Sequence, residues 1–293
     1  MPEPEMTEAV AWAIPFFVVT MLIEARLLRT RPDLAGYGSR DTRASLLMGA
    51  GNVVVDVVVA MVEIAILGWI WERAPLRLDA SSWATRIGAL VGVDICYYWF
   101  HRLHHDVRIL WAAHVNHHSS ERYNLSTALR QSWTTPITGA AFYWPLAFLG
   151  FAPWLIMAAR AVDTLYQYWI HTELVGRLGP LEAVFNTASH HRVHHGTEVE
   201  YLDRNHGGIL ITWDRLFGTF EPERAPVHYG LTTNIHTFDP VEIAFHEWKA
   251  LFRDVRRARS VREALGYVFA PPGWSPDGST LTSDQRRAAR AAA

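Results

Sequence analysis

The chain has 293 residues, half of them hydrophobic, with 13 Trp, 15 His, a single Cys and a formal net charge of −2. So even a charge balance excludes a global polyanion-binding surface, and no aromatic-plus-basic pattern suited to nucleic acid occurs. The lone Cys96 excludes a disulfide framework and a cysteine-based zinc site.

A mean hydropathy of +0.02 averages two unlike parts. Residues 9–23, 45–71, 84–100 and 134–170 are strongly apolar, whereas 101–133 and 172–293 carry most of the His, Arg and acidic residues. The opening MPEPEMTE has neither a basic n-region nor a small-residue cleavage site, so a cleaved signal peptide is not expected. The first apolar segment, about residues 8–28, is followed by Arg26, Arg29, Arg31, Arg40 and Arg43, which places its C-terminal end in the cytoplasm by the positive-inside rule. Segment 45–71 then runs outward, and segment 84–100 returns and delivers His101 to the cytoplasmic mouth. Residues 134–170 exceed one span at about 1.5 Å per residue, and Gly150 with Pro153 marks a turn near their middle. The expectation is a helical hairpin whose short arms enter a bilayer core of about 30 Å only part of the way and bring His171 to the same face.

Asn52, Asp56 and Glu63 share one stripe of the second segment, and Asp94 lies seven residues before His101. Intramembrane carboxylates face a bundle interior or a wet cavity. Pairing between helices accounts for them; so does support of a ligating imidazole through its second N–H, a task for which Asp94 is best placed and Asp163, relative to His171, less so.

Beyond His195 the sequence describes a cytoplasmic cap. Asp239-Pro240 opens an amphipathic helix through FHEWKALFRDVRRAR, and Ser260 with Glu263 has the spacing of a capping box. The arginines at 253–259 beside Trp248, Leu251 and Phe252 suit either an anionic headgroup layer or a solvated helix face. The resulting fold class is all-α: an integral-membrane bundle of about four to five membrane-embedded helices over residues 1–171, a helical cytoplasmic cap over 172–275, and a disordered tail over 276–293.

Three histidine clusters carry the chemistry: HRLHH at 101–105, HVNHH at 114–118 and HHRVHH at 190–195. Residues three or four apart share a helix face, so each cluster aims two or three imidazoles at one point. One metal takes at most about six protein ligands, so eight or more convergent imidazoles imply two metals. Imidazole suits iron, zinc, copper and nickel alike. The HExxH of zinc peptidases, the GxSxG of serine hydrolases and the ExxH pairs of soluble di-iron bundles do not occur. Histidine-bound metals at the mouth of a membrane bundle fit activation of O2 against a lipid C–H bond. A histidine-lined metal transporter or a haem-binding membrane protein fits less well, because transport wants ligands at mid-membrane depth rather than at helix ends.

The order HRLHH, HVNHH, WIHTEL, HHRVHH and NHGGILITWDRLFGTF resembles the fatty acid hydroxylase superfamily, also called the sterol desaturase family, of integral-membrane di-iron oxygenases. YYWFHRLHH, LWAAHVNHHSSERYNLSTALRQS and FNTASHHRVHHG are similar to its alkylglycerol monooxygenase branch, from about Tyr97 to Glu221. The resemblance implies nine metal ligands: His101, His105, His114, His117, His118, His171, His191, His194 and His195. It implies two Fe, oxidation of the ether-bearing carbon of alkylglycerol lipids, and tetrahydrobiopterin as reductant, although no pterin-binding pattern is legible; an external electron-transfer protein is the alternative donor. A sterol, carotenoid, fatty acyl or ornithine-lipid chain is the alternative substrate. The implied location is an integral-membrane one, in a bacterial inner membrane with the metal site on the cytoplasmic side.

His104 and His190 lie outside the shared pattern, and His206 stands where the family more often has Tyr, so an extra ligand and a polar substitute are both open there. His228, His236 and His246 read as surface residues. Trp213-Asp214-Arg215 is expected to hold the cap against the metal helices through an Asp–Arg pair. Asp106 replaces a Glu of the branch, which weakens any specific acidic role. Asn124, Thr127 and Arg130 suit headgroup or reductant binding and helix packing equally.

Overall fold

The computed structural model describes residues 4–292, with side chains from residue 15 onward. Among the described residues the chain is all-helical, with two isolated bridges, Phe185–Leu210 and Gly196–Tyr229, in place of any sheet.

Three long helices come first: α1 (Pro4–Leu28), α2 (Ser39–Glu72) and α3 (Trp83–Asp106). The 34 residues of α2 span about 51 Å at 1.5 Å each, and its most apolar window has a mean hydropathy of 2.4. Val53, Val54, Val57 and Met61 stand more than half exposed along it. Among the described residues it is the one helix long and apolar enough to cross a membrane. Two members of its polar stripe turn inward, Asn52 Nδ2 donating to the Ser132 carbonyl at 2.6 Å and Glu63 pairing with Arg160 at 2.6 Å, while Asp56 stays exposed. Pairing between helices therefore accounts for Glu63, whereas Asn52 is satisfied by a loop carbonyl ahead of Thr135.

The short helices α4 (Arg108–Trp111) and α5 (Val115–His118) follow α3. The expected hairpin over 134–170 is present with an altered first arm. That arm is broken into α6 (Thr135–Gly139), a 3-10 turn at Ala140–Tyr143 and α7 (Trp144–Phe148), because Pro136 and Pro145 each interrupt the backbone ladder. The turn falls where expected. Gly150 has φ +97°, and the Leu76 carbonyl oxygen lies 2.6 Å from where a Cβ would stand, so only glycine fits. The return arm α8 (Pro153–Trp169) is continuous and packs along α3, burying Val93, Leu146, Leu155 and Ile156 between them.

After α8 come α9 (Ala188–His194), α10 (Thr212–Phe217), α11 (Pro240–Arg257), α12 (Val261–Phe269) and α13 (Ser283–Ala291). Asp239 caps α11 by accepting from the Val241 and Glu242 amides. Ser260 caps α12 by accepting from the Glu263 amide, while the Glu263 carboxylate reaches back to the amide of Arg259. α11 is fastened twice: Ile243 and Ala244 pack on Ala44 and Met48 of α2, and Arg108 of α4 bonds Glu247 at 2.9 Å and Asp254 at 2.7 Å. The tail expected to be disordered is helical over Ser283–Ala291. Thr282 and Gln285 form a reciprocal capping box, and Arg287 donates to the Leu202 carbonyl.

Candidate metal centre

The last turn of α3 aims His101 and His105, four residues apart, toward His194 of α9. His114 precedes α5, which carries His117 and His118; His171 stands just past α8; α9 carries His191 and His194, with His195 at its C-cap. These nine side chains are 1–6% exposed and fall into two nests. His101, His105, His114, His118 and His194 form one, and His117, His171, His191 and His195 the other; within each, ligand atoms lie within 4.8 Å of one another.

Hydrogen bonding fixes the chemical character of these rings. The Nδ1–H groups of His101, His171 and His194 donate to the carbonyls of His206 (2.9 Å), Gln167 (2.7 Å) and Arg204 (2.8 Å), which leaves a bare lone pair on each Nε2. His105 Nδ1 faces the Asp203 carboxylate at 3.2 Å. The Nε2 atoms then face one another: His101 to His114 at 3.1 Å, His118 to His114 at 3.2 Å, His171 to His117 at 3.2 Å and His191 to His171 at 3.0 Å. His105, His194 and His195 each present a buried Nε2 with no partner. An unsatisfied buried polar atom costs about 1–3 kcal/mol, so the rings alone make a poor arrangement. A cation in each nest would turn every facing lone pair into a bond. The residues present therefore fit two metals.

Protonation agrees with this. Burial, and then the neighbouring imidazoles, hold His101, His114, His118, His191, His194 and His195 well below the ordinary histidine range. Burial brings His171 down to about 4. The rings are neutral near pH 7, the state a metal requires.

One segment builds most of the outer support. Residues 203–206 supply the partners of three rings in the five-histidine nest: the Asp203 side chain for His105, the Arg204 carbonyl for His194 and the His206 carbonyl for His101. Asp203 and Asn205 have φ +53° and +57°, the left-handed region that Asp and Asn tolerate best among non-glycine residues. Asn205 donates to the His190 and Glu221 carbonyls. Asp214 accepts from the His206 and Gly207 amides at 2.7 and 2.8 Å, and Asp94 accepts from the Ile209 amide at 2.6 Å and the Trp213 indole at 2.7 Å.

These bonds correct two expectations. Asp94 supports the strap that follows the ligand partners rather than any imidazole, since its oxygens are taken by backbone amides and an indole. Asp214 and Arg215 do not pair; Arg215 lies over the Phe220 ring at 3.7 Å and donates to the Glu182 carbonyl. Asp163 accepts from Gln167, whose carbonyl holds His171, so it acts one residue removed.

The remaining candidates fall outside the nests. His104 is satisfied by the Phe100 carbonyl and the Thr138 hydroxyl. His190 packs on Phe220 with its ring. His206 is fully buried beside the five-histidine nest, its ring centroid 5.1 Å from that of His105, with no hydrogen bond to either nitrogen. Exposed His228 bonds Glu198, exposed His236 lies 3.8 Å from Glu121, and half-buried His246 bonds the Ile243 carbonyl. Asp106 pairs with Arg102 at 3.2 Å, away from the rings. Asn124, Thr127 and Arg130 are buried and saturated by protein groups, Arg130 by Asp41, Ser45 and Ser119, so they serve packing. Sequence reasoning missed Asp203 and the carbonyls of Gln167, Arg204 and His206; the D-R-N-H-G run was the one available signal.

The fatty acid hydroxylase family model matches residues 87–219. The chain is 41% identical over 277 residues to human alkylglycerol monooxygenase, covering 93% of this chain and 61% of that protein. It is 44% identical over 237 residues to alkylglycerol monooxygenase of Xenopus tropicalis, covering 80% and 53%. An ornithine lipid hydroxylase of Rhizobium tropici is 31% identical over 161 residues, covering 53% of this chain and 49% of the relative. The chain thus spans 53–61% of the length of these two monooxygenases. No solved structure matches it.

Proposed function

We propose that the chain, which the fatty acid hydroxylase family model matches over residues 87–219 and which is similar to alkylglycerol monooxygenases, is a member of that family and a membrane-bound di-iron monooxygenase that cleaves alkylglycerol ether lipids. The observation that carries the proposal is the division of nine neutral imidazoles into adjoining nests of five and four. His101, His105, His114, His118 and His194 would hold one iron, and His117, His171, His191 and His195 the other. Bound there, the irons would supply activation of O2 and transfer of one oxygen atom to a C–H bond, chemistry that no side chain offers.

The protein's own share is positioning and exclusion. The carbonyls of Gln167, Arg204 and His206 keep three rings in the tautomer that presents Nε2 inward, and Asp203 does the same for His105. Burial keeps water from competing for the lone pairs. Oxidation at the ether-bearing carbon gives a hemiacetal, which separates into an aldehyde and a glycerol lipid.

In this reading α1, α2, α3 and the hairpin over 135–169 are embedded in the bilayer, and the nests lie on its cytoplasmic side at the base of a cap over 172–275. The exposed apolar face of α2 and the Arg residues from 26 to 43 support that placement. In this reading the membrane is a bacterial inner one. Tetrahydrobiopterin or an external electron-transfer protein would supply the electrons. Similarity to an ornithine lipid hydroxylase favours a second reading, the same centre acting on a hydroxylatable acyl chain.

Membranes containing the chain, given labelled O2, a reduced pterin and an O-alkylglycerol, should release a fatty aldehyde carrying one labelled oxygen atom, and His191→Ala should abolish the release. Metal-replete protein that hydroxylates acyl lipids and leaves ether lipids untouched would move the assignment to the second reading.

A further inference from the structure

Acids and arginines at the corner between α1 and α2 are sorted to opposite sides. Glu24 turns inward and accepts from the Tyr37 hydroxyl at 2.5 Å, the Leu125 amide at 2.8 Å and the Thr172 hydroxyl. Asp41 turns inward to Arg130 and the Ser120 hydroxyl, and Asp33 is taken by Arg31 at 2.9 Å. Arg26, Arg29, Arg40 and Arg43 are left exposed, and among the described residues none of them pairs with an acid. Such a corner attracts an anion from outside the chain.

An open cleft of about 630 Å³ lies at the same corner. Arg29 lines it from α1 and Arg43 from α2, while Ala25, Leu28 and Leu46 supply an apolar wall, and no nest histidine borders it. Leu22 and Leu27 of α1 and Leu47 of α2, 66, 50 and 42% exposed, carry apolar surface onward along both helices. A cationic rim over an apolar wall matches the two ends of one molecule, a phosphate head and an acyl chain. A soluble phosphate would satisfy the arginines and leave the leucines uncovered.

We propose that this cleft holds an anionic diacyl phospholipid of the cytoplasmic leaflet, its phosphate between Arg29 and Arg43 and an acyl chain along Leu28 and Leu46. The inference rests on the membrane reading above, in which these arginines mark the cytoplasmic surface. The lipid is structural, not a substrate, and the corner it braces is tied to the metal ligands. Glu24 holds Thr172, the residue after His171, and the Ala35 amide donates to Glu173 at 2.8 Å. Arg130, held by Asp41, donates at 3.1 Å to Ser119, the residue after His118. Fixing α1 against α2 thus steadies one ligand in each nest.

The test uses full-length, zinc-loaded protein in detergent micelles titrated with dioleoylphosphatidylglycerol or dioleoylphosphatidylcholine, with bound lipid counted by native mass spectrometry and zinc loss to a chelator followed in parallel. Phosphatidylglycerol should bind at about one per chain, about tenfold or more tighter than phosphatidylcholine, and slow zinc loss. Arg29→Gln with Arg43→Gln should weaken that binding about tenfold or more and abolish the slowing. Arg253→Gln with Arg256→Gln, the same charge change on the exposed face of α11, should leave both at parent values. Equal affinity of the parent for the two lipids, or equal losses in the two double variants, overturns the proposal. Equal slowing by inorganic phosphate overturns it by assigning the arginines to a soluble anion. A dimer that dissociates in Arg29→Gln with Arg43→Gln overturns it by assigning the cleft to a second copy. A chain washed from membranes by alkaline carbonate sinks the membrane reading itself, whereas one that stays and shows no preference for the anionic lipid sinks only this inference.

Discussion

His117 and His118 are neighbours in sequence, their ring planes inclined at 85°, and each enters a different nest. Successive residues on a helix diverge by about 100°, so a single turn of α5 serves two separate points in space. His194 and His195 repeat the device at 87°.

That division makes metal loss separable. Protein from iron-supplemented cells should approach two metals per chain by elemental analysis. His118→Ala should bring the five-histidine nest down first, and His195→Ala the four-histidine nest, each leaving about one metal, because one ligand removed from a site of about four to six ligands leaves the neighbouring site intact. Full loading of the double His118→Ala, His195→Ala variant would refute the ligand assignment.

Acid should unfold the metal-free protein unusually early. The nest histidines are depressed in the folded state, His171 to about 4, whereas the unfolded chain protonates near 6.5. Between those values the unfolded state binds more protons. Stability is therefore full above pH 6.5 and falls as pH drops toward 4, by about 1.4 kcal/mol per unit for each resisting ring. Thermal midpoints that stay flat from pH 7 to 5 in metal-free protein would contradict this, and loading with metal should shift the decline to lower pH.

Asp203 should be divisible into backbone and side-chain roles. Asn keeps both tolerance of φ +53° and an acceptor for His105 Nδ1, whereas Ala loses both. Asp203→Ala should weaken metal binding in the five-histidine nest about 10- to 100-fold, with Asp203→Asn well inside that range. Competition against a chelator provides the measurement; equal affinities for Ala and parent would remove Asp203 from the support of His105.

Glu63→Ala should destabilise the protein by about 1.5–3 kcal/mol, because it removes the charged hydrogen-bond partner of Arg160, whose side chain is 21% exposed and still lies over the Tyr143 ring. Replacing both partners together, Glu63→Leu with Arg160→Met, should recover most of the loss. Thermal unfolding in a mild detergent distinguishes the two, and a double variant no better than the single one would show that the pair does more than neutralise itself.

Reporter fusions after residues 38, 122 and 230 should register on the cytoplasmic side, and one near residue 78 on the outside. An external signal at 122 would break the shared-face topology.

The convergence of the imidazoles was legible because helix spacing converts sequence directly into direction: His101 with His105, and His191 with His195, share a helix face and a nest, while His194 turns into the other. The strap over 203–206 was not, since two of its three contacts are made by peptide carbonyls, which every residue possesses and no side chain advertises. The first hairpin arm was overestimated because apolar content was weighed above Pro136 and Pro145. The tail was underestimated for the converse reason: a run of Arg and Ala looks solvent-like, while the Thr282 and Gln285 pair that starts its helix is only two letters long. Asp94 was expected to hold an imidazole and instead holds the strap after residue 208, because spacing along α3 gives its height and not which loop folds across it.

The carbonyl contacts of residues 204 and 206 have an evolutionary consequence. A point substitution exchanges a side chain and leaves the peptide oxygen where it was, so Arg204 is free to drift without disturbing His194. Inserting or deleting a single residue there would instead shift Asp203, the Arg204 oxygen and the His206 oxygen out of register together and release three rings at once. Position 204 should therefore tolerate variation in its letter, and the whole stretch almost none in length.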